Sequence, residues 1–399
     1  MTRIGRLNAP AGVLDIPASA VPLPTGRTGA GVYDFRVNVY NPKPAAFRKL
    51  RTAIAACEKG AAPLRILTLG DSITLGYPSD GTANFRTHAW PTVARTRLSA
   101  KFGNGGTGIV YMGVHGGTGS DQDSRVVAAG TWGSAGANLG AFGTFTRSSS
   151  STSATIAFTP EVSVDSFTFW CWVPAASAAQ SVAWKIDGGS ETVIDVLAAN
   201  AGALGQLKAF TVPAGALGAH TLTLRVNGGT VNLWAIEGMA GTSGVRLTNL
   251  AKGSQQAAQL AATTNGAGGS LAAAFLAQPH LTNIWFGHNE YLGVPSGTNT
   301  SAFQTNMQTL ITQAKLTGDV TLMTQVPNSN TSNPTAQSAY NQIVYGLADA
   351  NDCAVIEIAD RWGSYTAMPA AMYIDTTHPS NQGLDDIANA FLAAIPFGL

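Results

Sequence analysis

Charge is what this chain lacks most. Only 11% of its 399 residues are Asp, Glu, Lys or Arg, against about 25% in an ordinary soluble domain. The 23 basic and 22 acidic side chains leave a formal net charge of +1. With so few cations and no basic stripe, the phosphate-neutralising surface that nucleic acid requires is excluded. Cysteine is also scarce. Cys57, Cys171 and Cys353 lie far apart and at no metal-ligand spacing, and at least one must be unpaired within a monomer, so a disulfide framework and a zinc cluster are both excluded. Cys353, beside Ala354-Val355-Ile356, reads as a small buried side chain, and Cys171 should alternate faces with Trp170 and Trp172. Long apolar runs are missing too: nothing approaches the roughly 18 residues of a membrane span. The opening Met1-Thr2-Arg3-Ile4-Gly5-Arg6-Leu7-Asn8 leads into a Pro/Ala segment without the apolar core of a secretory signal. Neither a membrane span nor an export address is expected.

Glycine fills much of the gap, 45 residues of it, alongside many Ala, Ser and Thr, while a hydrophobic content of 45% suffices for a packed core. Residues 1–40 are punctuated by Pro10, Pro17, Pro22, Pro24, Gly26, Gly29 and Gly31 and read as an extended arm that cannot fold alone. Pro44 suits a first helical turn, and Phe47, Leu50 and Ile54 share a face, so a helix should follow. A second helix is expected over Trp90–Leu98 and a third over Ser301–Lys315, with Phe303, Met307, Leu310 and Ile311 inward, before a strand at Asp319–Thr324. Between about 117 and 245 the texture changes. Short alternating runs such as Ser166-Phe167-Thr168-Phe169-Trp170 and Thr221-Leu222-Thr223-Leu224 are separated by turn signals, Asp187-Gly188-Gly189 and Asn227-Gly228-Gly229 among them. That pattern predicts a β-sandwich of jelly-roll type inserted into an α/β domain made of residues 41–116 and 246–399.

Ile66-Leu67-Thr68-Leu69 feeds directly into Gly70-Asp71-Ser72-Ile73-Thr74. A buried strand ending on a tight polar turn presents a hydroxyl at the carboxyl edge of a sheet, although Ser after a strand is also an ordinary helix cap. Near the other end, Asp375-Thr376-Thr377-His378 supplies an acid and a base on one loop. Acyl transfer needs a nucleophile, a base and a group to orient the base, which assigns Ser72, His378 and Asp375 to those roles. Asp71 reads as a brace for the turn through backbone N–H groups. A nucleophile elbow of lipase type would need glycine where Thr74 stands.

These blocks resemble the SGNH (GDSL-type) hydrolase family. Gly70-Asp71-Ser72-Ile73-Thr74 matches its first block. Val245-Arg246-Leu247-Thr248-Asn249-Leu250-Ala251-Lys252-Gly253-Ser254 is similar to the second, and Gly287-His288-Asn289-Glu290 to the third, which usually reads Gly-x-Asn-Asp; Asp375-Thr376-Thr377-His378 matches the last. The resemblance covers about residues 41–116 and 246–399. It implies a three-layer α/β/α, flavodoxin-like domain with a parallel sheet, and an oxyanion hole formed by the N–H groups of Ser72 and Gly253 and the side chain of Asn289. It implies no metal and no organic cofactor. Because the inserted module separates the second block from the first, Gly106 or Gly108 stands as the alternative to Gly253. Glu290 in place of Asp should alter loop packing rather than chemistry. Asn289 could instead cap its turn.

His88, His115, His220 and His280 have no partner at metal-ligand spacing and read as surface or satisfied histidines; His288, beside Asn289, either lines the cleft or packs beneath it. Trp170, Trp172, Trp184 and Trp234 are either sandwich core or a sugar-stacking platform. The expected activity is cleavage of a carboxylic ester through an acyl-enzyme, with a short acyl group on a polysaccharide or cell-envelope glycan as substrate. The competing readings are a catalytically silent carbohydrate-binding or adhesin tail protein, an acyltransferase, and a lipid esterase. The arm and the low charge also fit a phage tail component released by lysis, with the arm joining a homo-oligomer or a virion.

Overall fold

A computed structural model describes residues 3–9, 12–17, 33–34, 38–77, 85–115, 123–134, 146–174, 179–199, 205–262, 275, 278–293, 299–329 and 334–396. Seven strands build the main sheet: β1 (Tyr33–Asp34), β2 (Val39–Tyr40), β3 (Leu64–Gly70), β4 (Val245–Ala251), β5 (Leu281–Trp285), β6 (Asp319–Met323) and β7 (Ala354–Ile356), in the spatial order β4-β3-β5-β6-β7-β2-β1. The five strands from β3 to β7 are parallel, and β2 and β1 add an antiparallel edge. Counting the parallel strands alone gives the flavodoxin-like order 2-1-3-4-5, whose switch point lies between β3 and β5.

Alternation along these strands divides the core. Leu67 and Leu69 of β3, Ile284 of β5 and Val320 and Leu322 of β6 face a layer formed by α4 (Ala257–Ala261), α6 (Thr300–Thr317) and α7 (Pro334–Asn351). Leu64, Ile66, Leu281, Trp285 and Met323 face the opposite layer of α1 (Arg48–Glu58), α3 (Trp90–Phe102) and α9 (Asn381–Ala394). Three one-turn helices complete the domain: α2 (Ser72–Leu75), α5 (His288–Leu292) and α8 (Ile358–Trp362). The expected helix at Ser301–Lys315 is α6, with Phe303, Met307, Leu310 and Ile311 buried.

The inserted module is a sandwich of two antiparallel sheets. One runs Thr192–Asp195, Ser181–Ile186, Leu222–Gly228, Thr155–Phe158, Val126–Ala129. The other is centred on Val164–Val173 and Val231–Met239, flanked by Gln206–Gly218 and Arg147–Ser149. Asp187 (φ 52°) and Gly188 (φ 79°) both adopt left-handed backbone in the hairpin between Ser181–Ile186 and Thr192–Asp195, as the Asp-Gly pair led one to expect.

Two boundaries differ from those read in the sequence. Val39 and Tyr40, at the end of the presumed arm, are fully buried in the two opposite cores, because β2 pairs with β7. Arg3–Ala9 and Gly12–Pro17 pair as an antiparallel hairpin. Gly106–Tyr111, on the α/β side of the expected junction, pairs instead with Val231–Met239 of the sandwich.

The sandwich is seated on the α/β domain through one face of its second sheet. Phe167, Phe169, Cys171 and Ile236 fill the module's own core, while Trp172 and Trp234 pack with Leu69, Leu250 and Leu260 of the α/β domain. Tyr111 meets Trp234 edge to face at 4.9 Å. Trp172 and Trp234 therefore bind the two modules together, Trp170 packs against the same cluster, and Trp184 packs on the sandwich core. All three cysteines are buried free thiols.

Candidate active site

Ser72 opens the single-turn helix α2 directly after β3. The carboxylate of Asp71 accepts from the Ile73 N–H at 2.9 Å, and Gly76, left-handed at φ 95°, ends the turn. None of the described residues accepts from the Ser72 N–H, as the first helical position leaves it unpaired. Gly70 is required by space: a Cβ there would lie 2.2 Å from Thr74 Oγ1 and 3.1 Å from the Trp285 carbonyl. Asn249, on neighbouring β4, donates to the Thr74 carbonyl at 2.9 Å and accepts from Thr68 Oγ1 at 3.2 Å, bracing the turn from the side.

The fold brings Ser72, His378 and Asp375 together. Ser72 Oγ lies 3.0 Å from His378 Nε2, and His378 Nδ1 lies 2.8 Å from Asp375 Oδ2. The three-residue spacing works because Asp375 serves both functions of its loop. Its Oδ1 accepts from the N–H groups of Thr377 and His378 at 2.7 and 2.6 Å, which folds the backbone tightly, while Oδ2 meets the imidazole. Ile374 N–H to the His378 carbonyl at 3.0 Å and a Tyr373–Pro379 bridge close the loop. Ser329 N–H to the Thr376 carbonyl, and Tyr373 OH to the Pro327 carbonyl, seat it on the segment after β6. Burial pushes the Asp375 carboxyl upward, but the His378 backbone and ring and the Thr377 N–H outweigh it and hold the group below the usual carboxylate range. His378 thus stands between a carboxylate at Nδ1 and the Ser72 hydroxyl at Nε2.

Asn289 and Gly253 lie on the loops that flank Ser72. Gly253 sits in the turn after β4, whose Lys252 N–H reaches the Gly70 carbonyl at 3.3 Å, at the edge that carries Ser72. Asn289, buried in α5, donates one amide hydrogen to the Gln255 carbonyl at 2.9 Å. Glu290 then locks the two loops: its oxygens accept from Ala257 N–H at 2.6 Å and Gly287 N–H at 2.9 Å. The longer acid at this position thus bridges two helix starts, and burial raises its pKa. Gly106 and Gly108, the alternatives to Gly253, are used elsewhere. Both are left-handed, and a Cβ on either would lie 2.2 Å from a carbonyl oxygen: that of Gly238, on the paired sandwich strand, for Gly106, and that of Leu247, midway along β4, for Gly108.

His288 is buried beneath this edge at 1% exposure. Its Nδ1 lies 3.1 Å from the Tyr291 hydroxyl, and burial, with His378 nearby, drives its pKa down to about 3. It is a neutral packing element below the Asp375–His378 loop. Tyr77, which nothing in its local sequence marked out, sets its ring edge-to-face with His378 at 5.6 Å. His220 bonds Asp187 and the Ala216 carbonyl, His280 accepts from the Arg65 N–H, His88 is exposed, and the side chain of His115 lies outside the described residues. No cluster of metal-ligating side chains occurs among the described residues, and no helix there is long and apolar enough to cross a membrane.

No family model and no curated protein sequence matches this chain. Solved structures do. A peptidoglycan O-acetylesterase superposes with a TM-score of 0.64 at 16% identity, over 89% of this chain and 96% of that one. A putative lipolytic protein of the G-D-S-L family from Desulfitobacterium hafniense DCB-2 covers 83% and 99% at 10% identity, TM-score 0.40. An acetyl xylan esterase from Geobacillus stearothermophilus covers 39% and 74% at 21% identity, TM-score 0.32. The first of these overlaps is too extensive for the α/β domain alone and takes in the sandwich as well. With a 2-1-3-4-5 parallel sheet and Ser72 at its switch point, the chain has the fold of the SGNH (GDSL-type) hydrolases.

Proposed function

We propose that this protein is a serine esterase that removes short acyl groups from a polysaccharide or cell-envelope glycan. The observation that carries the reading is the continuous hydrogen-bonded chain from Ser72 Oγ through His378 to Asp375 at the carboxyl edge of a parallel sheet. Ser72 Oγ attacks the ester carbonyl as His378 Nε2 takes its proton, and Asp375 stabilises the resulting imidazolium. The N–H groups of Ser72 and Gly253 and the Asn289 amide hold the tetrahedral oxyanion. His378 then protonates the departing alcohol, and water, activated by the same imidazole, releases the acid from the acyl-enzyme.

The glycan assignment draws on the likeness to a peptidoglycan O-acetylesterase, which extends over the inserted module. An open site supports it: the Asp375 side chain is 44% exposed, and Tyr77 and Ile374 stand exposed at the rim. The N-terminal arm is read as an attachment segment to a homo-oligomer or a virion. A full-length chain that sediments as a monomer at high concentration would remove the homo-oligomer reading.

The deciding experiment compares p-nitrophenyl acetate, butyrate and octanoate hydrolysis by the parent and by Ser72→Ala, then acetate release from O-acetylated glycans. Short-chain activity that collapses in the variant supports the mechanism. Equal rates in both proteins, or a preference for octanoate with no acetate released from glycans, overturn the mechanism or the substrate class respectively.

A further inference from the structure

A cavity of about 270 Å³ lies in the seam between the modules, lined among others by Arg65, Arg246, Glu237, Trp170, Thr168 and Gln278. It opens at the amino edge of the main sheet, because Arg65 and Arg246 stand at the starts of β3 and β4. Ser72 follows the other end of β3, roughly 17 Å away at the usual rise of a strand. The cavity is therefore separate from the candidate active site.

Its polar groups are poorly used by the protein itself. Glu237 is 9% exposed, yet its carboxylate makes no hydrogen bond among the described residues; its one ion pair is to Arg246 at 4.0 Å. The Arg65 side chain makes neither a hydrogen bond nor an ion pair among them. Arg246 spends Nε and Nη2 on the Gly105 and Gly241 carbonyls, which fixes its Nη1 toward Glu237. The Glu237 oxygens thus face the cavity rather than a donor of the protein, where a polar group entering it can pair with them. Burial raises the Glu237 pKa, as expected of an acid in that position.

We propose that this seam cavity binds one carboxylate-bearing pyranose unit of a glycan. Two guanidiniums against one carboxylate leave the lining net positive, which selects an acidic ligand group. Glu237 accepts from sugar hydroxyls, Gln278 and Thr168 add neutral partners, and the Trp170 indole offers an apolar wall to the C–H face of the ring. A volume of about 270 Å³ suits one saccharide unit. The site is independent of the esterase reading and would hold a glycan on the enzyme from the far edge of the sheet.

The test is calorimetric titration of the full-length Ser72→Ala protein, which separates binding from turnover, with methyl glucuronide against methyl glucoside and with N-acetylmuramic acid against N-acetylglucosamine. The acidic member of at least one pair should bind about tenfold or more tightly than its neutral counterpart, and whichever pair shows it identifies the source of the carboxylate. Arg65→Ala should erase that preference. Gln278→Ala, at an exposed position in the cavity lining, should weaken binding in a protein of unchanged melting temperature. With 15N-labelled tryptophan, the Trp170 indole resonance should shift on titration. Equal affinities within both pairs, no saturable binding, or binding unaffected by Arg65→Ala with an unmoved Trp170 resonance would each overturn the assignment.

Discussion

Asp71→Asn tests whether the acid beside the nucleophile is a structural cap held at a cost. Asp71 is 3% exposed, its Oδ1 accepts from the Ile73 N–H at 2.9 Å, and burial, aided by the nearby Glu290 carboxylate, pushes its pKa from 3.8 to about 7. Between those two values the folded protein holds a proton that the unfolded chain has released. Stability from this group is therefore fully present below about pH 4, falls as pH rises toward 7 and is level beyond it. A displacement of that size corresponds to about 4 kcal/mol. Asparagine keeps the oxygen that caps Ile73 and removes the titration. Urea unfolding followed by tryptophan fluorescence between pH 4 and 8 should give a parent-minus-variant difference that shifts by about 4 kcal/mol in favour of the variant as pH rises. Carboxylates distant from Asp71 titrate equally in both proteins and cancel from that difference, whereas Glu290, coupled to Asp71, contributes to it. Short-chain esterase activity should survive, because the cap is intact. Parallel pH–stability curves would refute the reasoning, and loss of activity with an unchanged fold would give Asp71 a part in the chemistry.

Asp375→Asn removes the carboxylate that pairs with His378 Nδ1, and on the proposed mechanism kcat should fall on the order of 10⁴-fold with the melting temperature little changed. Asn289→Ala removes the amide proposed as an oxyanion donor; kcat should drop about 10²- to 10³-fold while KM stays near its parent value, and a rise in KM with kcat unchanged would reassign Asn289 to substrate binding. Glu290→Ala leaves the Ala257 and Gly287 N–H groups without their acceptor and should destabilise by about 1–3 kcal/mol for each, with Glu290→Gln recovering part of the loss in denaturant titrations. Gly70→Ala drives a methyl into Thr74 and should cost about 1–3 kcal/mol. Thr74→Ala in the same protein removes the nearer clash, and a double-mutant cycle that is strictly additive would contradict that geometry.

Much of the fold was legible because its cues are local. The 3.6-residue spacing of Phe303, Met307, Leu310 and Ile311 marks α6, and Asp187-Gly188 marks a hairpin whose backbone is left-handed at both residues. Gly70-Asp71-Ser72 after an apolar run, and Asp375 three residues before His378, are contiguous motifs; the fold sets Ser72 3.0 Å from His378 across 306 residues of chain. Pairing between distant segments carries no such mark. Nothing in Val39-Tyr40 announces β7 as its partner, so the arm seemed to run to residue 40 when its end lies in the sheet. The alternation of Trp170, Cys171 and Trp172 established that two faces exist, but only docking decided that the tryptophans turn to the α/β domain and Cys171 to the sandwich core. Gly106 and Gly108 stood as the alternative to Gly253, and nothing local in the sequence showed that their Cβ positions fall against the Gly238 and Leu247 carbonyls. Sequence by itself determined the helices and hairpins that carry strong local periodicity or turn residues, and which residues carry reactive groups, since backbone sterics and periodicity act over a few residues. Tertiary structure decided which faces meet, which glycines a crossing strand demands, and where a carboxylate such as Glu237 is left facing a cavity, since burial and hydrogen-bond partnership depend on both sides of a contact.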